Sequence, residues 1–235
     1  MSAIDDAIQT LSLSLHAGAR DLLDGYVTLL MEASTQFNLT AITDLEGIER
    51  RLVASSLEIL KHIPPQATSL LDVGTGGGVP GMILAIARPD LDVTLLDATL
   101  KKVTFLKETA AVLGLANVTT VHGRAEDLSH DLAHRERYAV VTARAVARLA
   151  TLVELVMPLT AIGGTAILPK GATAHDELDE ARAAVGTVGG KNPRAVESEI
   201  DDTLFVLIDK IETTPERFPR RAGMPNKRPI GVPPG

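Results

Sequence analysis

The 235-residue sequence contains no cysteine. Without cysteine, neither a disulfide framework nor a thiolate metal site can form, and such a chain suits a reducing cytoplasm. No segment reaches the roughly 18 apolar residues of a membrane span. Residues 1–10, MSAIDDAIQT, carry acids where a signal peptide carries bases. We therefore expect a cytoplasmic protein that makes no membrane contact.

The six histidines are scattered, and we expect no metal site. His130 and His134 are four residues apart, but neither a third ligand nor an adjacent glutamate accompanies them. The chain also has no evident Walker lysine and no Ser-His-Asp order typical of nucleophilic catalysis.

The formal net charge of −7 argues weakly against a nucleic-acid partner, because phosphate binding favours clustered lysine and arginine. The distribution of charge alters this interpretation. Residues 215–235 contain five basic residues and one acidic residue. An acidic body therefore precedes a basic, Pro- and Arg-rich tail, which we assign to residues 214–235.

Two patterns divide the rest of the chain. In residues 1–64, apolar residues recur at steps of three and four, which predicts a helical region ending at Pro64-Pro65 and packed on the core. In residues 65–213, strand-like and helix-like runs alternate. The predicted strands are 69–73, 92–98, 118–123, 138–144, 165–171 and 202–211, the predicted helices 81–88, 101–115 and 147–164, and 186–195 is a predicted loop. This order predicts an α/β fold with a mainly parallel, doubly wound sheet, in which strand 202–211 lies at or near an edge.

A glycine-rich stretch, LLDVGTGGGVPGMILAI (70–86), joins the first predicted strand to its helix. In doubly wound sheets, ligands bind at such turns, outside the carboxyl ends of the strands. Gly74, Gly76 and Gly78 allow positive φ and close approach of the backbone to a ligand. We therefore predict a cofactor site at this loop.

The same loop fits two classes of cofactor. Gly76-x-Gly78-x-x-Gly81 matches the dinucleotide fingerprint, which favours an NAD-dependent oxidoreductase. Against it, the carboxylate of Asp72 would repel a pyrophosphate, and Pro80 removes a free N–H near the start of the helix. These two residues favour a ligand with a positive charge.

Asp97 ends the second predicted strand, where a carboxylate can accept both ribose hydroxyls of a nucleoside. This position supports a nucleoside without choosing between the cofactors. S-adenosyl-L-methionine combines adenosine with a sulfonium and an ammonium, so we favour methyl transfer over hydride transfer, and hydride transfer remains the alternative.

Six stretches occur in an order that resembles one family. They are FNLTAIT (37–43), LLDVGTGGGVPGMILAIARPD (70–90), LLDATLKKVTFLKE (95–108), VHGRAEDL (121–128), VVTARAVARLATLVELVMPL (140–159) and PRRAGMPNKRPIG (219–231). Together they resemble the RsmG family, bacterial 16S rRNA guanine-N7 methyltransferases also named glucose-inhibited division protein B. The resemblance covers nearly the whole chain and implies a class I, Rossmann-like methyltransferase fold.

The resemblance also implies the cofactor and its contacts. S-adenosyl-L-methionine would touch the residues that match the family's motifs, namely Gly74, Val79, Ala125, Glu126 and Arg144. Glu126 can accept a hydrogen bond from the adenine amino group. One residue departs from the pattern, since Ala143 stands where the family commonly has serine, and this puts in doubt any role for a hydroxyl there.

Three basic residues, Arg124, Arg144 and Lys170, follow predicted strand ends and are expected on one edge of the sheet. The resemblance implies that such residues face RNA, either 16S rRNA or the small ribosomal subunit, and Lys101, Lys102, Arg148 and the tail would extend this basic track. No catalytic base is expected, because guanine N7 has a free lone pair. A non-catalytic ribosome-assembly factor that binds RNA remains an alternative, and we expect a monomer.

Overall fold

Seven strands form one sheet in the order β3-β2-β1-β4-β5-β7-β6. The structure is a computed structural model that describes residues 2–37, 39–171 and 173–232. The strands are β1 Ser69–Val73, β2 Asp92–Asp97, β3 Val118–His122, β4 Tyr138–Thr142, β5 Thr160–Lys170, β6 Gly190–Glu197 and β7 Leu204–Lys210. Strands β1 to β5 are parallel, whereas β7 pairs antiparallel with both β5 and β6. The predicted mainly parallel, doubly wound sheet is confirmed.

Helices cover both faces of this sheet. They are α1 Ala3–Thr10, α2 Ala19–Ser34, α3 Leu45–Gly47, α4 Ser55–Leu57, α5 Gly81–Ala87, α6 Leu100–Val112, α7 Ala125–Leu128, α8 Leu149–Val156, α9 Ala174–Thr187 and α10 Met224–Lys227. A π-helical segment, Ile48–Ala54, joins α3 to α4, and a 3-10 segment, Glu58–Lys61, follows α4. Within the described residues, no helix has the length and apolar character needed to cross a membrane.

Neighbouring strand residues point to opposite faces, and both faces are buried. Leu70 of β1 belongs to the buried cluster that includes residues of α2, α5 and α6, whereas Leu71 belongs to the cluster that includes α8 and α9. A strand covered on both faces reads as a continuous apolar run, which is why SLLDV was recognisable in the sequence.

The last part of the sheet differs from the sequence prediction. The predicted helix 147–164 ends at Val156, and β5 already begins at Thr160. Gly164 lies within this strand, where a Cβ would approach the carbonyl oxygen of Ala139 to 2.6 Å. The predicted loop 186–195 was wrong, because β6 occupies most of it, and helix α9 was not predicted. The strand predicted at 202–211 is confirmed next to the edge, between β5 and β6.

The N-terminal helices pack on the sheet through α5. Helix α2 buries Leu23, Tyr26 and Leu30 in the cluster that contains α5. The C-terminal segment returns to the opposite face, where Phe218 joins the cluster formed by α8 and α9. Of the predicted tail, residues 233–235 lie outside the described residues.

Candidate functional site

The glycine-rich loop connects β1 to α5 at the carboxyl end of the sheet. Gly74, Gly76 and Gly78 have φ values of +69°, +61° and +101°, as their spacing predicted. The amides of Gly74 and Thr75 both donate to the carbonyl oxygen of Leu96, at 2.8 and 3.0 Å. The loop is thus tied to the end of β2, and its backbone conformation requires glycine.

Asp72 lies beneath the loop and is fully buried. Its Oδ2 accepts hydrogen bonds from the Thr75 hydroxyl at 2.7 Å and from the Gly81 amide at 2.8 Å. Among the described residues, its Oδ1 has no partner. Burial raises the pKa of Asp72 to about 6, against the effect of these two hydrogen bonds. Asp72 therefore braces the loop and places a negative charge under it.

A cleft of about 190 Å³ opens beside the loop and is lined by carboxylates from two strand ends. Asp97, at the end of β2, accepts hydrogen bonds from the amides of Gly76 and Thr99, at 3.0 and 2.8 Å. Glu126, in the first turn of α7, lines the same cleft, as do Ala125, Gly74 and Val146. The predicted residues Gly74, Asp97, Ala125 and Glu126 thus share one cleft.

A second cleft, of about 240 Å³, lies on the other side of Gly74. The residues that line it come from the loop, from the segment after α2 and from the turn after β4, namely Leu30, Leu39, Thr40, Ala41, Leu52, Gly74, Thr75, Gly76, Gly77, Val79, Arg144 and Ala145. Because Gly74 lines both clefts, a single ligand that passes over it would reach from one to the other. Asn38, from the quoted FNLTAIT stretch, lies outside the described residues.

Two predicted cofactor residues line neither cleft. Asp72 is under the loop, and Gly78 faces inward, where a Cβ would lie 2.9 Å from both Met82 and Leu106. Both residues therefore influence the shape of the loop from the protein interior and do not face either cleft.

The three predicted basic residues are in different environments. Arg124 is exposed and lines the first cleft. Arg144 lines the second cleft and, together with Lys170, a neighbouring cleft of about 250 Å³. Its Nη2 donates to the carbonyl oxygen of Arg51 at 2.5 Å, whereas its buried Nη1 has no partner among the described residues. Burial lowers the pKa of Arg144.

The ammonium of Lys170 is engaged within the protein, which its position in the sequence did not indicate. Its ammonium lies 2.8 Å from Oε2 of Glu177 and also donates to the carbonyl oxygen of Ala147. Burial opposes the charge on Glu177, but hydrogen bonds from Lys170, Leu149 and Thr173 lower its pKa overall. Of the side chains expected to extend the basic track, Arg148 is paired with Glu180, and Lys101 lies 4.3 Å above the ring of Phe37.

Two contacts at the site were not predicted from the sequence. The hydroxyl of Tyr26, a fully buried residue of α2, donates to the carbonyl oxygen of Gly77 at 2.9 Å. The amide of Gly223, in the C-terminal segment, donates to Oε1 of Glu126 at 3.1 Å. Tyr26 belongs to an apolar helical pattern and Gly223 to a polar tail, so neither residue carried a sequence signal for these contacts.

A larger cavity, of about 440 Å³, lies between α2 and α6 and is lined by Phe37, Lys101 and Phe105 among others. The glycine-rich loop takes no part in it. Across residues 2–37, 39–171 and 173–232, no three side chains of histidine, aspartate and glutamate are grouped so as to hold a metal ion.

The fold is that of known methyltransferases. The structure is similar to the antibiotic-resistance methyltransferase Kmr, with a TM-score of 0.52 and 18% identity over 66% of this chain and 93% of that chain. It is also similar to a variant of MtNAS in complex with S-adenosylmethionine, with a TM-score of 0.53 and 13% identity over 83% of this chain and 74% of that one. The predicted class I methyltransferase fold of this chain is thus confirmed.

Sequence comparison identifies the family. The chain is 39% identical to the ribosomal RNA small subunit methyltransferase G of Leuconostoc citreum, over 98% of this chain and 97% of that protein. It is 42% identical to the protein of the same name from Clostridium beijerinckii, over 87% and 88% of the two chains. Residues 19–203 match the family model GidB, described as rRNA small subunit methyltransferase G. The chain belongs to the rRNA small subunit methyltransferase G family.

Proposed function

We propose that this protein uses S-adenosyl-L-methionine to methylate N7 of a guanine in 16S ribosomal RNA. One observation carries the proposal: Asp97 and Glu126 line a single cleft that adjoins Gly74 of the glycine-rich loop. A carboxylate at each of two neighbouring strand ends suits the ribose hydroxyls and the adenine amino group of one nucleoside. The small-subunit RNA comes from the names of the relatives, and the N7 atom from the family resemblance.

The residues of the loop fit the cationic end of this cofactor. Asp72 supplies a buried negative charge with an unpaired oxygen, and the loop above it leaves no side chain at Gly74 and Gly76. A buried carboxylate favours a nearby cation over a pyrophosphate. When bound, S-adenosyl-L-methionine supplies an electrophilic methyl group on a positively charged sulfur. We assign its adenosine to the cleft of Asp97 and Glu126, and its amino-acid end to the cleft on the other side of Gly74.

The protein needs no proton acceptor for this reaction. Guanine N7 is unprotonated and can attack a methyl group with its lone pair, so the task of the chain is to align the two reactants and exclude water. N7 lies in the deep groove of A-form RNA, which side chains do not reach, so the target must be an unpaired or extruded base.

Arg144 and Arg124 are our candidates for holding the RNA. Arg144 lines both the second cleft and the cleft of Lys170. A guanidinium in that position can bind a phosphate or stack on a base. Arg124 is exposed at the rim of the first cleft. Lys170 is a weaker candidate, because its ammonium is paired with Glu177.

The alternatives that the sequence left open receive no support from the site. An NAD-dependent oxidoreductase would place a pyrophosphate above the charge of Asp72. A non-catalytic assembly factor would not need the loop, Asp97 and Glu126 to be retained together.

The experiment is transfer of a labelled methyl group from S-adenosyl-L-methionine to RNA, with naked 16S rRNA and the small subunit as parallel substrates. The modified nucleotide is located by borohydride reduction and aniline cleavage, which cut RNA at 7-methylguanine. We expect cleavage at one guanine, and none with Gly74→Asp, whose side chain would meet Val146 and add a charge at the junction of the two clefts. Methylation at another atom would contradict the N7 assignment, and retained activity in Gly74→Asp would contradict the assignment of the loop.

A further inference from the structure

The C-terminal segment makes a hydrogen bond to the residue proposed to recognise adenine. The Gly223 amide donates to Oε1 of Glu126 at 3.1 Å, across 97 positions of sequence. The other oxygen of this carboxylate, Oε2, makes no hydrogen bond to any described residue. Glu126 therefore has one oxygen held by the tail and one available to a ligand in the cleft.

Anchors on both sides hold Gly223 in place. On one side, Arg220 makes a bidentate ion pair with Glu154 of α8, at 2.9 and 2.6 Å, and Glu154 is fully buried. On the other side, the hydroxyl of Thr151, also in α8, donates to the carbonyl oxygen of Pro225 at 3.1 Å. The tail crosses α8 between these two contacts, and Gly223 adopts the left-handed conformation there, with φ +80°.

We propose that the segment 220–228 is a positioning element for adenine recognition, and that it acts through the Gly223 amide on Glu126. A glutamate side chain in an open cleft has several rotamers, and a bound cofactor must pay for fixing one of them. The hydrogen bond from Gly223 fixes Oε1 before the cofactor arrives, so that Oε2 is already oriented. This inference rests on the assignment of Glu126 to adenine in the proposed function.

Two truncated chains separate residues 223–228, which include the Gly223 contact, from the end of the tail. A chain ending at Ala222 keeps the pair of Arg220 with Glu154 and lacks the Gly223 amide, whereas a chain ending at Arg228 keeps both, together with the bond from Arg220 to the carbonyl oxygen of Arg228. We would measure the dissociation constants of S-adenosylhomocysteine and of its inosine counterpart, which lacks the adenine amino group. Ordering the Glu126 side chain before the ligand binds should strengthen binding by a factor of about three to ten.

In the chain ending at Ala222, the ratio of the two dissociation constants, which measures the preference for the adenosine ligand over the inosine ligand, is expected to fall by a factor of about three to ten. The chain ending at Arg228 is expected to retain that preference. In a Glu126→Ala background, the shorter truncation should have no further effect, because the contact acts through that carboxylate. An equal loss of affinity for both ligands, or a loss that persists in Glu126→Ala, would overturn the proposal.

A full-length variant covers the case in which the shorter chain fails to fold. Gly223→Ala strains the left-handed conformation although no atom lies within 4 Å of the new Cβ, and Gly18→Ala is its control, with φ +87° and equally open surroundings. Only Gly223→Ala should reduce the preference for adenosine, and an equal preference in the two variants would overturn the proposal. If Glu126→Ala alone leaves the preference unchanged, the assignment of Glu126 fails as well. If Glu126→Ala lowers the preference, but neither the chain ending at Ala222 nor Gly223→Ala does, only the proposed role of the tail fails.

Discussion

The hydroxyl of Tyr26 donates a 2.9 Å hydrogen bond to the carbonyl oxygen of Gly77, and through it a helix of the N-terminal region holds the glycine-rich loop. Tyr26 is fully buried, and Leu30, one turn further along α2, would lie 2.8 Å from a Cβ at Gly77. The N-terminal helix α2 thus contacts the loop directly at Gly77. Its packing therefore supports the candidate cofactor site as well as the stability of the chain.

Tyr26→Phe should weaken both folding and cofactor binding. The change leaves the Gly77 carbonyl without its buried donor, which costs about 1–3 kcal/mol. We expect a lower free energy of unfolding and weaker binding of S-adenosyl-L-methionine, measured by denaturant unfolding and by titration calorimetry. The control is Tyr138→Phe, which removes the hydroxyl that bonds to His134 and should leave the cofactor dissociation constant unchanged. Unchanged affinity in Tyr26→Phe would show that the loop keeps its shape without this contact.

Gly74→Ala should disrupt the junction of the two clefts. The new Cβ would lie 2.8 Å from Cγ2 of Val146, and φ at Gly74 is +69°. We expect at least a tenfold loss of cofactor affinity, equivalent to about 1.4 kcal/mol. The matched control is Gly114→Ala, where φ is +67° and no atom lies within 4 Å of the Cβ. Both variants should lose stability by about 1 kcal/mol from backbone strain, so a similar loss of cofactor affinity in the two would contradict the account.

Asp72→Asn should change the pH dependence of stability. Burial raises the pKa of Asp72 from 3.8 to about 6, so between these pH values the folded protein holds a proton that the unfolded chain has lost. The free energy of unfolding that Asp72 contributes therefore falls as pH rises through this window, by about 3 kcal/mol in total. An asparagine oxygen can still accept from Gly81 and Thr75, but it does not titrate.

Denaturant unfolding of the wild type and Asp72→Asn between pH 4 and 6.5 measures this difference directly. We expect the variant to gain stability relative to the wild type as pH rises. At pH 7.5 it should also bind S-adenosyl-L-methionine more weakly, because the negative charge under the loop is gone. A difference in stability that is independent of pH would contradict the raised pKa.

Arg220→Met should destabilise the protein strongly. It leaves the fully buried Glu154 without its cation, a change that typically costs about 3–5 kcal/mol. Replacement of Glu154 by leucine in the same chain should restore most of the loss. For comparison, Arg194→Ala removes a more exposed pair with Asp209 and should cost less than about 1 kcal/mol in the same unfolding assay. Equal costs for Arg220→Met and Arg194→Ala would contradict the burial of Glu154.

The elements that could be predicted from the sequence are those with a recognisable local pattern of residues. Strand β1 appears as a continuous apolar run because both of its faces are covered, and the positive φ values of the loop follow from its glycines. Strand β6 could not be recognised, because GKNPRAVE is a largely exposed edge strand without an apolar face. The late start predicted for β5 has a local cause: the run LTAIGG (159–164) continues the apolar pattern of α8, and of its residues Thr160 pairs with Tyr138 before the register shifts and regular pairing resumes at Thr165.

The candidate cofactor residues could be predicted from the sequence, whereas the contacts that position them could not. Asp97 was predicted because it ends a strand, whereas Glu126 was predicted because it matches a motif of the family that the sequence resembles. The pairing of Lys170 with Glu177 could not be predicted, because it depends on helix α9, which the sequence did not indicate. The contacts of Tyr26 and Gly223 depend on how distant segments pack, and no local pattern encodes them.

The most direct test of the cofactor site is isothermal titration of the protein with S-adenosyl-L-methionine and with NADH in the same buffer. The charge of Asp72 beneath the loop and the two carboxylates in the adjoining cleft predict micromolar binding of S-adenosyl-L-methionine and no binding of NADH. Binding of NADH without binding of S-adenosyl-L-methionine would contradict the assignment of the loop and the proposed methyl transfer with it.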